Sequence, residues 1–267
     1  MLFFELSSLE LGLLLFGALL GATGVGALLG RRARHRSETL KEPFGVLQAA
    51  LLGVVGLLLA FGLSLAVSRY EDRRANVVTA ANAIGTTYLR AQTLSEPMRS
   101  RSIAGLVDYT RNAVAISEHV PGSTPAQAAV RREARIERGL WALAAESLQR
   151  APVASAPKLY VETLNETFDA ETARVVALSN RVPTAVFILE LAGAAIALGL
   201  LAAYMAIAGR GEGAVILAAV LVAFLLLVTS DLDRPTRGLI RVPDAPLTDQ
   251  LASMTEPPAA PAPAARG

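Results

Sequence analysis

Long apolar runs separated by short charged stretches set the pattern of this chain. Between Glu10 and Arg31 lie 20 residues without a charge, between Glu42 and Arg69 lie 26, and between Glu212 and Asp231 lie 18. Between Arg181 and Arg210 the one charge is Glu190. A hydrocarbon core about 30 Å thick is crossed by about 20 apolar residues in a helix rising about 1.5 Å per residue. The pattern therefore predicts four membrane-spanning helices, over about Leu9–Leu29, Phe44–Ser68, Pro183–Ala208 and Ala214–Ser230. The second and third runs leave length for tilt or for emergence into water.

Between the second and third spans the period changes but stays helical. No alternating apolar–polar run of useful length occurs, so no sheet is expected. Proline marks the joints. Ser95-Glu96-Pro97 opens a helix with Ile103, Leu106, Val107, Thr110 and Val114 on one face, and Pro121-Gly122 stops it. Thr124-Pro125 opens the next, with Val130, Ile136, Leu140, Trp141, Ala144 and Leu148 on a broad face. Ser155 or Ala156 before Pro157 opens the last, with Leu159, Val161, Leu164 and Phe168. The second span is expected to continue for several turns past Arg69, with Val77, Val78, Ile84 and Leu89 spaced one or two turns apart. The last polar helix is expected to enter the third span directly, kinked near Pro183.

The predicted architecture is all-α: four transmembrane helices with a helical bundle inserted between spans two and three. Residues 1–68 hold the first two spans and a basic connector, and 69–182 the polar bundle. Residues 183–241 hold spans three and four, and 242–267 form a Pro- and Ala-rich tail expected to be disordered. The first span is glycine-rich, with Gly17 and Gly21 four apart and Gly26 and Gly30 four apart. Such residues let helix backbones approach closely in lipid, within the subunit or between subunits.

Composition narrows the function classes. The chain has 267 residues, 53% hydrophobic and 18% charged, which fits a multi-span protein with one sizeable polar region. With no cysteine, thiolate chemistry and cysteine-ligated metal centres are excluded. The formal charge is +2, and the cations gather at membrane edges, so nucleic-acid binding is not expected. No phosphate-binding glycine loop, G-x-S-x-G or H-E-x-x-H occurs. The two histidines, His35 and His119, are isolated from each other. The expectation is therefore no enzyme, no catalytic residue, no cofactor and no metal.

Two stretches carry a resemblance. Ser179-Asn180-Arg181-Val182-Pro183 leads into the third span, and Leu232-Asp233-Arg234-Pro235, with Gly238 and Val242, closes the fourth. With two N-terminal spans and a helical insert of this length, they resemble the bacterial bestrophin-like domain family of membrane proteins, over nearly the whole chain to about Met254. The motif residues carried by the resemblance are Asn180, Arg181, Pro183, Asp233, Arg234, Pro235 and Gly238. The resemblance implies kinship with bestrophins, which are pentameric anion channels with a large cytosolic helical region. The run of clustered acids forming the calcium clasp of animal bestrophins is missing, since Asp231 and Asp233 alone do not match it.

Within the spans, Glu190 is the sharpest candidate for function. It lies seven residues past Pro183, roughly 10 Å along a helix rising 1.5 Å per residue. A carboxyl group at that depth is costly unless protonated, paired or facing water, so it is expected to face a pore or a helix interface. Asp233, Arg234 and Pro235 are expected to lock a helix end. The implied partners are the bilayer, further copies of the chain and inorganic ions. Two functions stay open: an oligomeric ion-channel-like protein, or a non-transporting scaffold or sensor whose helical domain binds a partner. Localisation in the cell membrane is expected. The cations of the short connectors (Arg31, Arg32, Arg34, Arg36, Lys41 and Arg210) lean the polar domain to the extracytoplasmic side, whereas kinship with bestrophins implies the opposite.

Overall fold

A computed structural model of the chain describes residues 7–33, 41–209 and 213–259. The central part of the basic connector, with His35, the turn residues 210–212 and the tail from 260 lie outside the described residues. Eight helices are described: α1 (Ser8–Ala33), α2 (Lys41–Ala91), α3 (Met98–Glu118), α4 (Thr124–Arg150), α5 (Ser155–Ser179), α6 (Thr184–Ile207), α7 (Gly213–Leu232) and α8 (Ala245–Ser253). No strand occurs among the described residues. The chain divides into two compact units: Met1–Tyr70 with Arg181–Arg241, and Glu71–Asn180 with Val242–Gly267.

Among the described residues four helices are long and apolar enough to cross a membrane, and the first unit holds α1, α6, α7 and the part of α2 up to Tyr70. Glu10 in the first turn of α1 and Arg31 and Arg32 in its last turn oppose the helix dipole. Leu11, Leu15 and Leu19, four apart, form its buried stripe and pack with Val55, Leu59, Leu198, Ala223 and Leu226. Towards the other end the stripe passes to glycine. A Cβ on Gly26 would overlap the backbone of Gly199 in α6, and one on Gly30 the backbone of Ala203. Helices α1 and α6 thus meet backbone to backbone, which any larger side chain would prevent. At Gly17, Gly21 and Gly24 a Cβ would meet nothing within 4 Å.

The second unit holds the part of α2 beyond Tyr70 together with α3, α4, α5 and α8. Its core is built from Val77, Ile84, Tyr88, Leu106, Tyr109, Leu140, Tyr160 and Leu164. Faces were legible, but not every residue on them. Val78 and Leu89 are exposed, while Tyr88 and Ala91 point inward. Trp141 and Val130 are likewise part-exposed on α4. A hydroxyl ladder joins α2 to α5: Thr87 Oγ1 donates to the Thr163 carbonyl at 2.9 Å, and Thr167 Oγ1 to the Ala83 carbonyl at 3.1 Å. The Ser123 hydroxyl, rather than Thr124, caps α4 by accepting from the Ala126 amide. The turn before it needs glycine, because Gly122 has φ +85°.

Two expectations are corrected. The last polar helix does not run into the third span with a kink. α5 ends at Ser179, Asn180 is extended at φ −75° and ψ 117°, and α6 begins only at Thr184. Proline at 183 lacks an amide hydrogen and drives the preceding residue towards extended backbone. The break is stabilised because its backbone groups find partners. Buried Arg73 donates to the carbonyls of Ala177 and Asn180, at 3.2 and 2.6 Å. The second correction concerns the tail. Residues 242–267 are not uniformly disordered, since Ala245–Ser253 form α8. Leu247 is fully buried, the Tyr88 hydroxyl donates to the Met254 carbonyl at 3.1 Å, and Gln250 packs on Gly85. One leucine and one methionine in the right register suffice to dock a short helix, a signal that the flanking proline- and alanine-rich composition hides.

Candidate functional site

Glu190 lies in the second turn of α6 and is 3% exposed. Its carboxylate rests against Gly62 of α2, where a Cβ would overlap Oε1. A glycine at 62 is therefore what makes room for an acid at 190. Oε1 has no hydrogen-bond partner, a costly condition for a carboxyl group away from water.

Beside it lies a cavity of about 30 Å³, lined by Val182, Thr184, Phe187, Glu190, Thr229, Ser230 and Asp233. That is room for about one water molecule. The walls are apolar apart from the hydroxyl and carboxyl groups, which converge from the start of α6 and the end of α7. The Thr229 hydroxyl is already used, donating to the Leu225 carbonyl at 2.9 Å. Glu190 and Asp233 thus bring two carboxyl groups to one small cavity at the same end of the spans.

The motif residues fall around this cavity. α7 ends at Leu232, three residues before Pro235, which cannot continue a helix. The chain then turns back on itself through buried Pro235 and Gly238. Asp233 holds the break before α6, accepting from the Val182 amide with both oxygens at 3.1 and 3.2 Å. Asp231, which sequence reasoning did not single out as a site residue, is the organiser of the turn. Its carboxylate accepts from the Ser8 hydroxyl of α1 at 2.7 Å and from the Ile240 amide at 2.8 Å. Gly238 packs so closely that a Cβ would lie 2.8 Å from the Asp231 carbonyl oxygen and 2.9 Å from Oδ2. Buried Arg234 donates its amide to the Asp231 carbonyl at 3.0 Å. Burial lowers its guanidinium from the ordinary value; Asp231 and Asp233 oppose this, while Arg181 and Arg237 add to it. Asn180 belongs to the other unit, where its carbonyl is bound by Arg73. Asp231 was legible in one respect only: it is the first charge after an 18-residue apolar run.

Chemically, the site can hold a proton or a water between carboxyl and hydroxyl oxygens inside the apolar unit. No group of three or more metal-ligating side chains occurs among the described residues.

The family model of the Bestrophin-like domain matches residues 14–247. In structure the chain is similar to a bacterial bestrophin homologue from Klebsiella pneumoniae, with 16% identity, 89% of this chain and 97% of that chain covered, and a TM-score of 0.65. A single-residue variant of such a homologue from the same organism gives 16% identity, 88% and 97% coverage, and a TM-score of 0.64. A further membrane protein gives 18% identity, 89% and 97% coverage, and a TM-score of 0.65. At such identities the likeness establishes the fold. A search of curated protein sequences finds no match.

Proposed function

We propose, because this chain belongs to the Bestrophin-like domain family, that it is a subunit of an oligomeric, ion-channel-like assembly in the cell membrane. The observation that carries this reading is Glu190: a buried carboxyl group with an unpartnered oxygen inside the apolar unit. Anchoring alone requires no such group, and intramembrane acids mark ion and proton pathways or their gates. Assembly is supported by glycines at which a Cβ would meet nothing within 4 Å among the described residues, Gly17, Gly21 and Gly24 on α1 and Gly53 and Gly56 on α2. In lipid these are surfaces on which another helix packs closely.

Ion flux through purified protein in liposomes tests the reading. Flux from an assembly of several copies supports it. A folded, flux-free monomer that crosslinks to a specific partner would instead favour the scaffold or sensor.

The cations of the short connectors support an extracytoplasmic polar unit, because they weigh more in topology than charges on a long domain. The chain has no cysteine, so a single Val153→Cys, at a residue 93% exposed between α4 and α5, reports orientation cleanly. Labelling by an impermeant thiol reagent in intact cells is expected. Labelling only after lysis reverses the orientation.

A further inference from the structure

The polar unit contains a second buried charged cluster. Glu133 of α4 is 6% exposed, and its Oε1 has no hydrogen-bond partner. Its carboxyl group faces that of Glu171 on α5, itself 1% exposed. Arg174, one turn further along α5, is 0% exposed. Its Nε donates to Glu171 at 2.8 Å and its Nη2 to the other Glu171 oxygen. Its remaining contacts are with α3: Nη1 donates to Ser117 Oγ at 2.7 Å, and Nη2 to the Ala113 carbonyl at 3.0 Å. The other titratable groups facing the pair are half-buried Glu137, one turn along α4, and Tyr109 of α3, whose hydroxyl donates to Glu137 at 3.4 Å. One guanidinium therefore serves several acids, and its donors are committed to Glu171 and to α3.

We propose that Glu133 and Glu171 form a proton-binding site, in which one proton held on Glu133 bridges the two carboxyl groups and its loss at alkaline pH loosens the packing of α4 on α3 and α5. With the proton in place, neutral Glu133, ionised Glu171 and cationic Arg174 sum to zero. Without it, the same buried space carries one uncompensated negative charge. Burial first, then the charge and hydrogen bond of Glu171, push the Glu133 carboxyl up to about 9, with Arg174 opposing. Burial and the surrounding acids likewise push the Tyr109 phenol up, so it stays a donor.

The direction follows from linkage. A carboxyl raised from 4.5 to about 9 on folding binds its proton more tightly in the folded state. Its stabilisation is fully present below 4.5 and is lost as pH rises through about 9. The site does not depend on whether the transmembrane unit conducts.

Thermal unfolding of the purified full-length protein in detergent, between about pH 5 and about pH 9.5, tests it. The wild-type Tm is expected to fall as pH rises. Glu133→Gln, whose amide donates to Glu171 as the protonated acid does, removes most of that slope and has the higher Tm at the alkaline end. An unchanged slope in Glu133→Gln overturns the proposal. Should that variant fold poorly, infrared titration of Glu190→Gln protein, which lacks the other buried acid with an unpartnered oxygen among the described residues, reads the site directly. A protonated carboxyl band present at neutral pH and lost on alkalinisation supports it; its absence at neutral pH overturns it.

Discussion

Arg174→Met is expected to destabilise the polar unit by about 3–5 kcal/mol, the range for removing one partner of a buried ion pair. The physical reason is the commitment of its donors. The guanidinium is fully enclosed and satisfies both oxygens of Glu171, the Ser117 hydroxyl and the Ala113 carbonyl. Methionine fills much of the volume but leaves Glu171 ionised, or forces it to protonate, beside Glu133. A cost of this size is a large fraction of the stability of a typical domain. Thermal unfolding or limited proteolysis of the full-length protein measures it. Replacing Glu133, Glu171 and Arg174 together with apolar residues of similar volume is expected to recover most of the loss, because no charge then remains buried. A single Arg174→Met that unfolds like wild type contradicts this account of the cluster.

The second large effect lies in the membrane unit and changes sign with its background. Gly62→Ala places a methyl group where the Glu190 carboxylate sits. Overpacking of this kind costs about 1–3 kcal/mol. In a Glu190→Ala background the obstructing group is gone, and alanine exceeds glycine in helix propensity by about 1 kcal/mol. Gly62→Ala is therefore destabilising in the wild type and neutral or stabilising beside Glu190→Ala. The difference, read by a double-mutant cycle on thermal stability in detergent, isolates the contact. Equal effects in both backgrounds would show that the two positions do not meet.

Much of the fold was legible from spacing, because a bilayer imposes a length on apolar runs and proline imposes joints. The four spans and the polar helices follow from these two constraints. What the sequence hid was mostly the role of arginine. Arg73 and Arg174 sit among other charged residues on helices, yet both are buried and close backbone or carboxylate gaps. Burial of arginine depends on which helix faces it, and periodicity does not contain that information. The break at 180–183 was legible as a disturbance near Pro183, but whether proline kinks or interrupts a helix depends on partners for the freed backbone groups. Asp233 and Arg73 supply those partners from distant parts of the chain. Glu190 stood out in sequence as a lone charge. Its dependence on Gly62 did not, since a glycine in a small-residue span has many other uses.

Reconstitution of the purified chain into liposomes, followed by radioisotope or fluorescence flux of small monovalent ions, tests the central claim most directly. Flux that scales with the amount of protein, and whose rate or pH dependence changes in Glu190→Gln, is the expected result. Folded, correctly inserted protein that carries no ion across the bilayer, with Glu190→Gln indistinguishable from wild type, would contradict it.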